Sequence, residues 1–479
     1  MLLRPSPAVL TARRGHVCVL RRMGRYNAAV AQSKPKAAGT TTVSEDEPKV
    51  ANRPSGRGLL PGLLGRYPRP PLSVTGKQAW GGAVSFVLVV YAASRLFYLL
   101  AGALLAGFLP AGGFYLLTPD VPPGTLNVWA HWDGVWYSQI ATEGYAAHAP
   151  ASTAFFPLYP LLVRSFAEVF GGPLSLGAVS LWATLLSLAF LPPALFFVYR
   201  IAEDGCGEEV ARTTTLALAF FPTAFFLNAA YTESLFLALS AGSLWACRVR
   251  KDLLLACVLA GFAAATRNVG VFLLAPLAYE WLRWAREDGW GRARLAEGAS
   301  LALVPTGLLG YMAYLWMRFG DPLLFYSAQE LWDRRPVDPL TLTVDVFGEA
   351  YASLGTALGP GTPADSALAG IVGRLHDPND AYSLLFLLVT LALFVVGLRV
   401  LPLSLSLYTL LLFISAVSFG KPATPLMGFS RYVLVAFPLF ITLAVLLEGR
   451  PRATGVYLSV SAAASLVFCA FFVSWRFVA

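Results

Sequence analysis

Charge is scarce in this chain of 479 residues. Only 13% of them are Asp, Glu, Lys or Arg, against 57% hydrophobic, and a soluble domain carries roughly 25% charged residues. With a mean hydropathy of +0.62, that balance excludes an ordinary soluble enzyme. Disorder over most of the length is excluded too, because it needs low hydrophobicity and high charge. β-Barrel alternation is missing. The five cysteines, Cys18, Cys206, Cys247, Cys257 and Cys469, are scattered without a CxxC pair, so neither a disulfide framework nor a zinc ribbon can be read from them. Histidine is equally sparse, at four, and His131, His148 and His376 match no metal-ligand spacing. No metal is expected.

Long apolar runs recur from Ser85 to Phe472, which points to an all-α polytopic membrane protein. The formal charge of +9 belongs to one end. Residues 1–80 hold 14 Lys and Arg against 3 Asp and Glu, and the remainder holds 22 against 24. Nucleic-acid binding by the folded body is therefore not expected, and a tail kept on the cytoplasmic side is. No apolar period is sustained over 1–80, so we expect disorder there. Its first third is Arg-rich and acid-free, as transit peptides are, and a start at Met23 fits equally well. Residues 81–479 are expected to form one multispanning domain.

We count about eleven spans, near 82–109, 174–199, 213–230, 233–247, 253–266, 269–284, 298–317, 381–398, 402–418, 432–447 and 454–474. With the tail inside, parity places 110–173, Tyr231-Thr232, Arg267-Asn268, 318–380 and 419–431 on the outer face. Basic clusters such as Arg248-Val249-Arg250-Lys251 and Arg283 through Arg294 then fall inside. Two outer segments exceed a simple turn. In 110–173, Arg164 and Glu168 stand four apart opposite apolar residues, which predicts an interfacial helix. Segment 318–380 is rich in Asp, Pro and Gly, and long connections of this kind are usually functional.

Ionisable groups at the outer ends of these spans are the candidates for chemistry. Asp133, in His131-Trp132-Asp133-Gly134-Val135-Trp136-Tyr137, is flanked by aromatic rings, and a carboxylate there can take a proton from an alcohol. A loop aspartate capping a helix is the plain alternative. Glu233, in Tyr231-Thr232-Glu233-Ser234, sits where two spans turn back. It is either functional or a cap favoured by the helix dipole. Arg267 and Arg431 stand at other outer helix ends, where guanidinium forks suit a phosphate or pair with Glu233. Arg95 lies near the middle of the first span and needs an anionic partner or a polar cavity. It favours a rival reading as a transporter or lipid flippase, whose ionisable residues gather near the bilayer midplane.

The stretch Trp132-Asp133-Gly134-Val135-Trp136-Tyr137, with Gly144-Tyr145 and Ala154-Phe155-Phe156-Pro157-Leu158-Tyr159-Pro160, resembles the PIG-V mannosyltransferase family. So do Phe221-Pro222-Thr223-Ala224-Phe225-Phe226, Tyr231-Thr232-Glu233-Ser234-Leu235-Phe236, Ala265-Thr266-Arg267 with Gly270, and Ser430-Arg431-Tyr432 with Pro438. The resemblance implies the GT-C glycosyltransferase fold. It also implies a polyprenyl-phosphate sugar donor, expected to carry mannose, and a glycolipid or glycan acceptor as in GPI-anchor precursors. No separate cofactor is implied. Asp133 occupies the position of the family's catalytic carboxylate. His131, Trp132, Tyr137, Tyr159, Glu233, Arg267, Arg431 and Tyr432 are expected to contact substrate. The site would face away from the cytoplasm, at the plasma membrane in a bacterium or the endoplasmic reticulum in a eukaryote.

Overall fold

The computed structural model describes residues 77–109, 126–170, 174–359, 367–421 and 424–478. The basic tail 1–80, apart from its last four residues, lies outside them. So do 110–125 of the first outer segment and 360–366 of the second.

The architecture is helical, with α1 (Lys77–Phe108), α2 (Asp133–Glu143), α3 (Leu158–Val169), α4 (Leu176–Cys206), α5 (Glu208–Ala219), α6 (Glu233–Trp245), α7 (Leu253–Thr266) and α8 (Leu274–Asp288) in the first part. Then follow α9 (Arg292–Ala299), α10 (Thr306–Phe319), α11 (Pro339–Leu358), α12 (Ala367–His376), α13 (Asn379–Val400), α14 (Leu403–Val417), α15 (Phe429–Val435), α16 (Pro438–Leu447) and α17 (Pro451–Val473). A two-residue strand β1 (Arg335–Pro336) pairs antiparallel with β2 (Phe419–Gly420), Arg335 opposite Gly420.

A helix falls on each of the eleven apolar stretches, and these helices differ widely in length. Among the described residues, five helical stretches are long and apolar enough to span: Gly81–Phe108, Leu176–Cys206, Arg292–Phe319, Asn379–Val400 and Pro451–Val473. A sixth counts if α15 and α16, bent by 80°, form one broken span. Helices α7 and α14 are apolar but shorter. Proline divides two of the apolar runs. Pro222 cannot continue a helix, so α5 stops at Ala219 and the chain turns through a 3₁₀ segment, Ala224–Leu227, before α6. Pro438 opens α16 after the bend.

The core is organised around α4 and α6, where Ala194, Ala202, Ala238 and Ala241 let backbones approach. Small contacts of this kind and interhelical hydrogen bonds hold bundles together where lipid supplies no hydrophobic drive. Tyr408 donates to Val435 O at 2.9 Å, and Ser243 donates to Ala256 O at 2.8 Å. Gly270 is required after α7, since a Cβ there would lie 2.3 Å from the Ala263 backbone. The predicted helix around Arg164 is α3, and Arg164 donates to Glu168 at 2.8 Å. Segment 318–380 contains β1, α11 and α12.

Candidate active site

A cavity of about 510 Å³ collects the loops and helix ends between these elements, within the ordinary range for small-molecule sites. Asp133, Glu233, Arg267 and Arg431 all line it, although nearly 300 residues separate the first from the last. Trp132, Tyr137 and Tyr432 line it as well.

Asp133 is aimed by an unusual turn. The Gly134 amide donates to His131 O at 3.0 Å, closing a turn with Trp132 at φ 55° and ψ −120°. That conformation belongs to glycine, and a tryptophan there costs about 1–3 kcal/mol. Packing offsets the strain. Trp132 meets Trp475 and Phe477 at 5.8 and 5.4 Å between ring centroids. The Tyr231 hydroxyl also accepts from the Asp133 amide at 3.2 Å and donates to His131 O at 3.1 Å. As the first residue of α2, Asp133 gains from the helix dipole, and its side chain remains 31% exposed.

Four charges form a chain from this carboxylate. Arg431 donates to Asp133 Oδ2 at 2.5 Å, and its Nε lies 3.2 Å from Glu233 Oε1. Arg267 donates to the same Oε1 at 2.8 Å. The arginine pairing weighed from sequence is thus present for both cations. Glu233 opens α6 and Arg267 caps the C-terminal end of α7, each at the helix end its charge favours. The other oxygen of Glu233, Oε2, is buried without a hydrogen-bond partner. The Tyr432 ring lies between the guanidinium groups of Arg267 and Arg431, at 5.0 and 5.4 Å.

Arg334 is a cavity residue that sequence reasoning missed. It donates to the Tyr432 hydroxyl at 3.3 Å. With it the site holds three guanidinium groups against two carboxylates, a surplus of one positive charge. Trp332 and Gln329 from the same segment, and Phe472, Phe477 and Val478 from the chain's end, complete the wall. Nothing in the local sequence marks them: Arg334 sits among Asp333 and Arg335, where a charge offers no contrast.

Two expected contact residues do not line the cavity. His131 is buried behind it, its ring stacked on Trp475 at 4.0 Å, and its Nδ1–H donates to Phe472 O at 3.1 Å. Burial pushes this imidazole down to about 4, against the lift from that hydrogen bond. Tyr159 is also fully buried, donating to Ala183 O at 2.7 Å beside Ser187. Both support the walls. Among the described residues no cluster of three His, Cys, Asp or Glu is placed to hold a metal ion.

Among the described residues Arg95 has no carboxylate partner, and it does not line the cavity above. It donates to Ala219 O at 3.1 Å and Ala224 O at 3.2 Å, and to the Asn228 side chain, with Tyr98 under its guanidinium. These carbonyls are the ones freed where α5 ends. Arg95 therefore fixes the turn that leads to Glu233.

Solved structures resemble the chain at low identity. One is ArnT from Cupriavidus metallidurans bound to undecaprenyl phosphate, with a TM-score of 0.43 and 14% identity over 78% of this chain and 62% of that one. Another is the Archaeoglobus fulgidus oligosaccharyltransferase in its apo form, with 0.39 and 13% over 84% and 57%. A curated relative, GPI mannosyltransferase 2 of Drosophila pseudoobscura pseudoobscura, is 30% identical over 128 residues, 26% of this chain. The match spans 28% of that relative's own length. Residues 117–285, which carry Asp133, Glu233 and Arg267 but not Arg431, match the family model of mannosyltransferase (PIG-V), the family that the sequence motifs resemble.

Proposed function

We propose that the chain is a membrane mannosyltransferase of GT-C type. It moves a sugar from a polyprenyl-phosphate donor to a hydroxyl of a lipid or envelope glycan on the non-cytoplasmic side. The observation that carries this reading is the position of Asp133, partly exposed in a cavity with one surplus positive charge. Its Oδ2 is held by Arg431, which fixes the orientation of the group proposed to accept the proton.

In the proposed reaction Asp133 takes the proton of the acceptor hydroxyl as that oxygen attacks the anomeric carbon. The bond from this carbon to the phosphate oxygen breaks, polyprenyl phosphate leaves as an anion, and attack opposite the leaving group inverts the centre. Fixed cations stabilise the charge that develops on the leaving oxygen. Arg267 and Arg431 already have carboxylate partners, so Arg334 is the group with charge to spare for the phosphate. Glu233 fixes Arg267 and Arg431 through Oε1 and so positions the cationic wall against the sugar.

Substitution Asp133→Asn keeps the volume and removes the base. Mannosyl transfer from a polyprenyl-phosphate mannose should fall roughly 10²–10⁴-fold, with melting in detergent near that of the parent. Full turnover in the variant would remove Asp133 from the mechanism.

A further inference from the structure

Helix α11 carries a stripe that neither the cavity nor the bundle uses. Leu340, Val344, Phe347, Tyr351, Leu354 and Leu358 follow one another at three- and four-residue spacing, and each is about half to nine-tenths exposed. No charged residue is exposed anywhere on this helix. Its two acids, Asp345 and Glu349, are half-buried, and Glu349 acts electrostatically on Asp380 at the start of α13. The opposite stripe, Leu342, Val346, Ala350 and Ser353, is buried against the bundle. A helix with apolar residues on two faces and carboxylates turned inward is not built for water.

Its placement says what covers the outer stripe. The helix is about 30 Å long at 1.5 Å per residue, yet it is too polar to count among the spans. It starts at the cavity rim, where the Val337 amide donates to Ser418 O at 3.1 Å and Ser418 lines the cavity. The next helix, α12, returns to the rim, where His376 Nε2–H donates to Phe477 O at 2.7 Å. Helix α11 itself finds its main neighbour in a span. It packs along α13, whose own exposed side chains, Leu385, Leu388, Val389 and Leu398, belong to a membrane span.

We infer that the Leu340–Leu358 stripe of α11 faces lipid acyl chains, continuous with the lipid-facing surface of the span α13 that it packs along. Trp332 and Arg334, just before its first residue, are then tied to the bilayer. The cavity rim beside them faces lipid rather than open water. This inference goes beyond the proposed reaction and stands without it.

The test places a photoreactive benzoyl-phenylalanine at Val344 or Tyr351 of the full chain in phosphatidylcholine nanodiscs, with Leu388 of α13 and half-buried Glu349 as comparison positions. Lipid adducts at Val344 and Tyr351 at the yield of Leu388, lost at Glu349, are the expected result. Crosslinks between two copies of the chain would overturn the inference and make the stripe a self-association surface. Adducts at Leu388 with none on α11 would overturn it equally. Neither result bears on Asp133.

Discussion

Two glutamates are buried to the same degree and gripped by the same chemistry, yet they end differently. Glu233 and Glu280 are each 1% exposed, and each meets two arginines. At Glu280 both oxygens are engaged. Oε1 takes Arg248 and Ser404, the latter at 2.7 Å, and Oε2 takes Nε and Nη2 of Arg283 at 3.0 and 2.6 Å. Burial alone would lift this carboxyl, but Arg248, Ser404 and Arg283 outweigh it and hold it below its usual range. At Glu233 both cations crowd onto Oε1, and Oε2 is buried without a hydrogen-bond partner. None of the Glu280 network lines the cavity. A saturated carboxylate is a clasp between α8, α14 and the Arg248 segment; an unsaturated one is half of a site. Satisfaction, rather than burial, separates them.

The sharpest way to break this contrast is Glu280→Gln beside Glu233→Gln. Removing one partner of a buried ion pair costs about 3–5 kcal/mol, so the Glu280→Gln protein should melt well below the parent while its turnover per folded molecule holds. Glu233→Gln should melt closer to the parent yet lose at least about tenfold in turnover, since a charged hydrogen bond contributes about 1.5–3 kcal/mol. Reversed outcomes in a paired melting and kinetic measurement would abolish the distinction. A milder probe is Arg334→Gln. Loss of one charged contact to the donor phosphate should raise the donor KM about tenfold with kcat less affected, and an unchanged KM would leave the surplus charge without a ligand.

The smallest effect concerns the wall behind the site. His131 is held neutral in the folded state and titrates near 4, against an ordinary 6.5. The unfolded chain therefore binds the proton first, and stability falls as pH drops. From pH 6.5 to 5 the loss should be about 1–2 kcal/mol. His131→Asn should flatten that slope in pH-dependent melting, and an unaltered slope would assign it to other groups.

What could be seen beforehand follows from contrast. Asp133, Glu233, Arg267 and Arg431 stand out because they are charges at the ends of apolar runs, where such groups are costly, and the structure brings all four to one cavity. Arg334 could not stand out among its charged neighbours. The walls from Phe472 to Val478 were hidden for the opposite reason: apolar residues after an apolar span carry no distinguishing mark. His131 and Tyr159 were placed by motif, but a motif conveys proximity in sequence and not the direction of a side chain. The runs that became α5, α6 and α8 were apolar enough to be taken for spans. Pro222 and the turn around Arg95 end α5 at Ala219, short of its apolar run, through backbone hydrogen bonds that composition does not record.

The backward twist at Trp132 settles when the aspartate acquires its aim. In the proposed reaction a tight chain reversal and neighbouring rings hold the acid in line before the acceptor arrives. Choice among rival guests then belongs to the aromatic and cationic surroundings, and a guest that fits them poorly meets the same poised oxygen at the wrong angle.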